Sequence, residues 1–204
     1  MIRWWRLYLK SRRVPVALVV AAGAIATVWG CWLAFADSRD IPAGLTVLTG
    51  TVALVALVPT LSGDDDAFES TAALPWRPRR AAHLMACFVL VAGALVASRA
   101  TGAWFGEAGS LIRVCAGQTG LIGLGVALFG ARTAWLLPVG WMGLQTLLPS
   151  PADPVWNGIL FWLMQPADSP AATITALVLF LGGLGAYTLR PGPRTAPAEA
   201  ALAQ

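Results

Sequence analysis

Residues 63–80, GDDDAFESTAALPWRPRR, are the one long charged segment set between two apolar runs. The stretch gathers Asp64, Asp65, Asp66 and Glu69, then Arg77, Arg79 and Arg80. Its middle reads as a short helix. Asp66 is a good N-cap, because its carboxylate can accept from backbone N–H groups one turn on, and Glu69 completes a variant of the capping box. The acidic residues also face the positive end of the helix dipole. Pro75 stops the helix after about two turns. Phe68 and Ala72, four apart, share a face with Thr71 beside them. Two readings follow. The stretch is a solvated loop that fixes topology, or it is a docking element held at a membrane surface and pushed by a partner protein.

The composition sets the frame for that choice. The chain has 204 residues, 57% hydrophobic and 12% charged, with mean hydropathy +0.69. A soluble domain carries about 25% charged residues, so the sequence predicts an all-α integral membrane protein. The net charge of +4 calls for no nucleic acid, because basic residues flanking spans do a topological job. Lys10 is the only lysine among 14 basic residues. With the abundance of Ala, Gly and Pro, that usage suggests a GC-rich bacterial genome. Cys31, Cys87 and Cys115 have no CxxC spacing and His83 is the only histidine, which argues against a metal site or a disulfide framework. One pairing, Cys31 with Cys115, stays open.

Outward from 63–80, six spans are expected: 14–36, 43–61, 81–98, 110–130, 133–148 and 171–189. The fifth is short and holds Pro138 and Gly140. Before the first span, residues 2–13 place Arg3, Arg6, Lys10 and Arg13 on one stripe, with Ile2, Trp5 and Leu9 away from it and Trp4 and Tyr8 alongside, which predicts an interfacial amphipathic helix. Ala34-Phe35-Ala36 before Asp37 mimics a signal-peptidase site, but the apolar run is longer than a leader's. Between the fifth and sixth spans, residues 155–164 form an apolar patch fenced by Pro151, Pro154, Pro166 and Pro170. It is too short to span and reads as a re-entrant or interface-lying helix. Residues 1–190 thus form one membrane domain, and 191–204 a disordered tail. With the N-terminus inside, eleven basic residues fall on the inner side and only Arg39, Arg99 and Arg113 outside. Both termini and 63–80 are then cytoplasmic.

Chemistry-bearing motifs are few. Gly117, Gly120, Gly123 and Gly125 lie in an apolar helix with no strand before it, so they read as helix packing and not as a phosphate loop. Gln118 and Thr119 between them are candidates for a translocation path, since polar groups inside a bundle are costly and often functional. Arg113 is expected to snorkel to the outer surface, and His83 to be solvated at a helix end. No span interior holds Asp, Glu or His, which argues against intramembrane hydrolysis and against proton-coupled carriage. No catalytic residue is assigned. A Walker motif is absent, so the chain supplies no ATPase of its own.

An amphipathic N-terminal helix, six spans, cytoplasmic ends, a charged helix between spans two and three, and an outer re-entrant segment together resemble the permease subunit of ABC-2-type exporters. The resemblance covers about residues 1–190, by topology more than by motif. Its most specific part is 66–73, DAFESTAA, with basic residues close behind, which looks like the coupling helix of small actinobacterial permeases. The resemblance implies that Asp66, Phe68, Glu69, Thr71, Ala72 and Arg77 couple to an ATPase. It also implies two copies of that ATPase carrying ATP and Mg, no cofactor in this chain, and a second permease, identical or homologous. The setting would be a bacterial inner or plasma membrane. The very short outer loops depart from the larger exporters. A non-transporting membrane accessory or immunity protein is the alternative, and a membrane-embedded enzyme a third.

Overall fold

The computed structural model describes residues 14–61 and 76–189. Every named element among them is a helix: α1 Val14–Phe35, α2 Ala43–Leu57 with a 3-10 turn Val58–Leu61, α3 Trp76–Ala97 with a 3-10 turn Ser98–Ala100, α4 Ala108–Phe129, α5 Leu136–Leu147, α6 Pro154–Leu160 and α7 Pro170–Leu189. Five of these are long and apolar enough to cross a membrane: α1, α2 with its 3-10 turn, α3, α4 and α7. The expected amphipathic helix at 2–13, the coupling helix with Asp66, Phe68, Glu69, Thr71 and Ala72, and the tail from 191 lie outside the described residues.

Two boundaries differ from the sequence reading. α3 begins at Trp76, not at 81. Pro78 does not delay it, because N–H groups in a first turn have no intrahelical acceptor to lose. The expected span 133–148 is the larger departure: 131–135 is a turn, and α5 has 12 residues, a rise of about 18 Å. α4 is ended by Gly130 at φ 84°, a left-handed conformation suited to glycine, whose N–H reaches Val126 O at 3.0 Å. Ala134 then folds under α4, so close that a Cβ on Gly125 would stand 2.6 Å from Ala134 O. The apolar Ala134 and Trp135 lengthen the hydropathic run without lengthening the helix.

α4 is the centre of the bundle. All its residues from 111 to 123 are buried except Ile112, and α2, α3, α5 and α7 pack around it. The closest pairing is with α7. A Cβ on Gly123 would lie 2.6 Å from Gly183 O, and one on Gly120 would enter the backbone at Leu179 and Phe180. Between apolar helices in lipid, burial drives nothing, so backbone approach through small residues is what attracts. The register 113 to 165, 120 to 179 and 123 to 183 makes α4 and α7 parallel. The chain must return between them, and α5, α6 and the irregular 161–169 make that return.

The bundle therefore has two ends. At one, Ile41 N–H donates to Trp104 O (2.8 Å), Trp104 N–H to Arg39 O (2.7 Å), and Thr46 Oγ1 to Phe105 O (2.8 Å). The indole N–H groups of Trp29, Trp32 and Trp104 find acceptors there on Thr101, Ser38 and Thr101. Aromatics with one wet edge suit a membrane interface. At the other end, Tyr187 OH donates to Leu61 O at 2.7 Å, and His83 Nε2 lies 2.9 Å from Thr60 Oγ1. Cys31 is exposed while Cys87 and Cys115 are buried, and all three are free thiols.

Candidate functional site

Within the apolar bundle one buried polar pair joins α4 to α2. Thr51 and Val47 are one helical turn apart on α2, and Thr51 Oγ1 donates its proton to Val47 O at 2.8 Å. That leaves Thr51 Oγ1 as an acceptor, and Gln118 Nε2 donates to it at 3.0 Å. Gln118 is fully buried, and its Oε1 has no hydrogen-bond partner. A buried carbonyl left unmade costs about 1–3 kcal/mol, while an interhelical side-chain bond in a bundle returns about 0.6 kcal/mol. The pair is therefore a net expense to the fold. Thr119, one residue on, is equally buried with Oγ1 unpartnered. It points elsewhere, since its helical neighbours Cys115, Ile122 and Val126 belong to the larger core with α1, α2 and α3. The structure thus buries both predicted path residues, and on different faces of α4.

One turn nearer the Trp104 end, Val47 and Val114 pack with Leu121, Leu163, Ala172 and Ala176 around Trp162. Trp162 is wholly buried, and the far edge of its ring abuts α4: a Cβ on Gly117 would be 2.9 Å from its Cζ2 and nearer still to Cη2 and Cζ3. Its indole N–H has no acceptor, nor has that of Trp141 on α5. The segment that delivers Trp162 is irregular. Asp153 caps α6 by accepting from Val155 N–H and Trp156 N–H at 2.8 and 3.0 Å, but α6 ends after seven residues. The expected helix over 155–164 is thus only half helical, and its two tryptophans part, Trp156 exposed and Trp162 buried.

Two long polar side chains hold this segment. Gln145 Nε2 on α5 donates to Leu160 O at 2.6 Å. Arg113 on α4 donates to Pro166 O at 2.7 Å and to Gln165 O. The expectation that Arg113 snorkels outward is corrected here. It is only 5% exposed, because the carbonyls of 165 and 166 lie within its reach and a planar guanidinium can serve two acceptors at once. Spacing alone did not flag Thr51, Arg113, Gln145 or Trp162 as partners, since all four contacts join residues from different elements.

His83 is likewise more than a solvated helix end. Thr60 Oγ1 donates to Leu57 O at 2.6 Å, so its contact with His83 Nε2 is one in which the ring N–H donates. Thr60 and Leu61 thus tie the end of α2 to α3 and, through Tyr187, to α7. The residues that lead into 62–75 are thus anchored, and His83 ties them to the second turn of α3. Arg77, the described member of the expected coupling set, is exposed in the first turn of α3. The described surface also has an apolar groove between α1 and α2, lined by Thr27, Cys31, Trp32, Phe35 and Leu45, which brings no cluster of polar groups together. Among the described residues no group of three or more His, Cys, Asp or Glu could hold a metal ion. No family model matches the chain, and no curated protein or solved structure matches it.

Proposed function

We propose that this chain is the permease subunit of an ATP-driven exporter of the ABC-2 type, coupled through 66–74 to a separate ATPase. The observation that carries the reading is the parallel packing of α4 and α7 with a short return between them. That arrangement suits six crossings, with α5 as the short fifth and 148–169 as an outer segment that dips back into the bundle. It also suits a common side for the described termini Val14 and Leu189 and for the two flanks of 62–75. Arg77, Arg79, Arg80 and Arg132 belong to that side, and Arg39, Arg99 and Arg113 to the other, in line with a cytoplasmic Tyr187 end. In this reading two permeases pair, two ATPases bind ATP and Mg beneath them, and closure of the ATPases pushes on 66–74. The push reaches the bundle through Leu61 and Tyr187, and through Thr60 and His83.

Phe68 is the aromatic anchor of that docking surface, and Glu69 either caps its own helix or pairs with a basic residue of the ATPase. The test is affinity purification from native membranes with Phe68→Ala and Glu69→Gln beside the wild type. A co-purifying ATP-hydrolysing subunit that is lost with Phe68→Ala, while the bundle stays folded, is the expected result. Glu69→Gln should be mild if Glu69 only caps, and should weaken association by about 2 kcal/mol or more if it forms a buried pair. An ATPase association and transport both indifferent to Phe68→Ala would sink the reading. The alternative, a non-transporting accessory or immunity protein, draws its support from the close packing of Gln118 and Thr119.

A further inference from the structure

We infer that the segment carrying Trp162 is a displaceable plug, and that its withdrawal uncovers the Gln118–Thr51 pair from the Trp104 end. The inference goes beyond the permease reading and rests on the bundle alone, whatever drives it. Depth supports it first. Val47 and Val114 belong to the same buried cluster as Trp162, and Thr51 and Gln118 stand one turn deeper on the same helix faces, as i and i+4 positions. The ring tip rests on Gly117, the residue before Gln118. The plug therefore lies between the pair and the Trp104 end, with Leu137, Trp141 and Met142 of α5 packed beside it.

The chemistry of the seat supports it second. Three tryptophans at this end satisfy their N–H groups, and Trp162 does not. Gln118 Oε1, Gln145 Oε1 and Arg113 Nε are also buried without partners. The large majority of buried side-chain polar groups in folded proteins are paired. With Trp141 Nε1, two orphaned acceptors and three orphaned donors around one irregular segment mark a packing that is shut without being fully satisfied, and opening to water would give them partners. The retaining contacts are of a kind that can be released. Leu160 and 165–166 are held by single side chains from Gln145 and Arg113, through carbonyls, and no continuous helix ties 161–169 in place.

The test is thiol accessibility in the full chain, purified in detergent without any partner. Thr51→Cys is placed in a Cys31→Ser, Cys87→Ala, Cys115→Ala background and treated with a small cationic methanethiosulfonate. Val91→Cys in the other core is the reference for general loosening. Trp162→Ala and Arg113→Gln should each raise the labelling rate of Thr51→Cys roughly tenfold or more, as an open population grows, and leave Val91→Cys unchanged. If Trp162→Ala does not fold, Arg113→Gln decides, because it removes a clasp and leaves the ring to fill the core. Labelling of Thr51→Cys that no variant accelerates, or acceleration equal at Val91→Cys, overturns the plug. Neither outcome bears on the ATPase.

Discussion

Gln118 shows how a single residue can be legible as unusual and illegible in its role. A glutamine in a glycine-rich apolar helix is costly wherever it points, and that much follows from the sequence. Its partner Thr51 is 67 residues away and does not follow from any spacing. The energetics give a prediction that separates function from stability. Gln118→Leu removes one bond worth about 0.6 kcal/mol and one orphaned carbonyl costing about 1–3 kcal/mol, so it should leave stability unchanged or raised by about 1 kcal/mol. Thr51→Val strands the Gln118 amide entirely and should lower stability by about 1–2 kcal/mol. The double variant should resemble Gln118→Leu alone, since the stranded group is gone. Reversible unfolding in mixed micelles measures all three. A Gln118→Leu protein clearly less stable than Thr51→Val would mean that the amide makes a bond beyond the one to Thr51. Arg113 teaches the same lesson with the opposite sign: position near a helix start suggested snorkelling, and the fold brought two carbonyls to it instead.

At the scale of elements, the five long helices were readable because length and hydropathy decide them. The glycines of α4 were readable as packing because no other chemistry fits an apolar helix. α5 was not readable, because hydropathy cannot tell a turn built of Ala134 and Trp135 from a further helical turn. What ends α4 is backbone conformation at Gly130, and what shortens α5 is the fold of Ala134 against Gly125. The close approach of α4 and α7 carries a prediction of its own. Gly120→Val must push apart two backbones that meet without side chains between them, whereas Gly182→Val meets open space on the same α7 stretch. The first should cost about 2–3 kcal/mol by overpacking, and the second close to nothing in the isolated chain. Thermal unfolding followed by far-UV circular dichroism checks both. Equal loss in the two variants would contradict the packing of α4 on α7.

The molecule as a whole poses a question of sidedness, which charge and topology address together. Parallel α4 and α7 require the chain to come back between them, and α5, α6 and the irregular 161–169 make that return. On the proposed reading the return makes the fifth of six crossings, puts 62–75 and both termini in the cytoplasm, and leaves 148–169 outside. The basic residues agree, since eleven of fourteen fall on the cytoplasmic side of that scheme. Single cysteines at two positions test it in the background lacking Cys31, Cys87 and Cys115. Val155 is the outer reporter of choice, being 57% exposed, whereas the Asn157 side chain is engaged with Gln165 at 3.0 Å. Ser70 is the inner reporter, within the charged stretch itself. An impermeant maleimide added to intact cells or spheroplasts should modify Val155→Cys and spare Ser70→Cys until the membrane is opened. Modification of Ser70→Cys alone would invert the molecule and place the charged stretch where no ATPase could reach it. Modification of both would put the two reporters on one face, and a chain with parallel α4 and α7 cannot deliver that arrangement without losing one of the five long crossings.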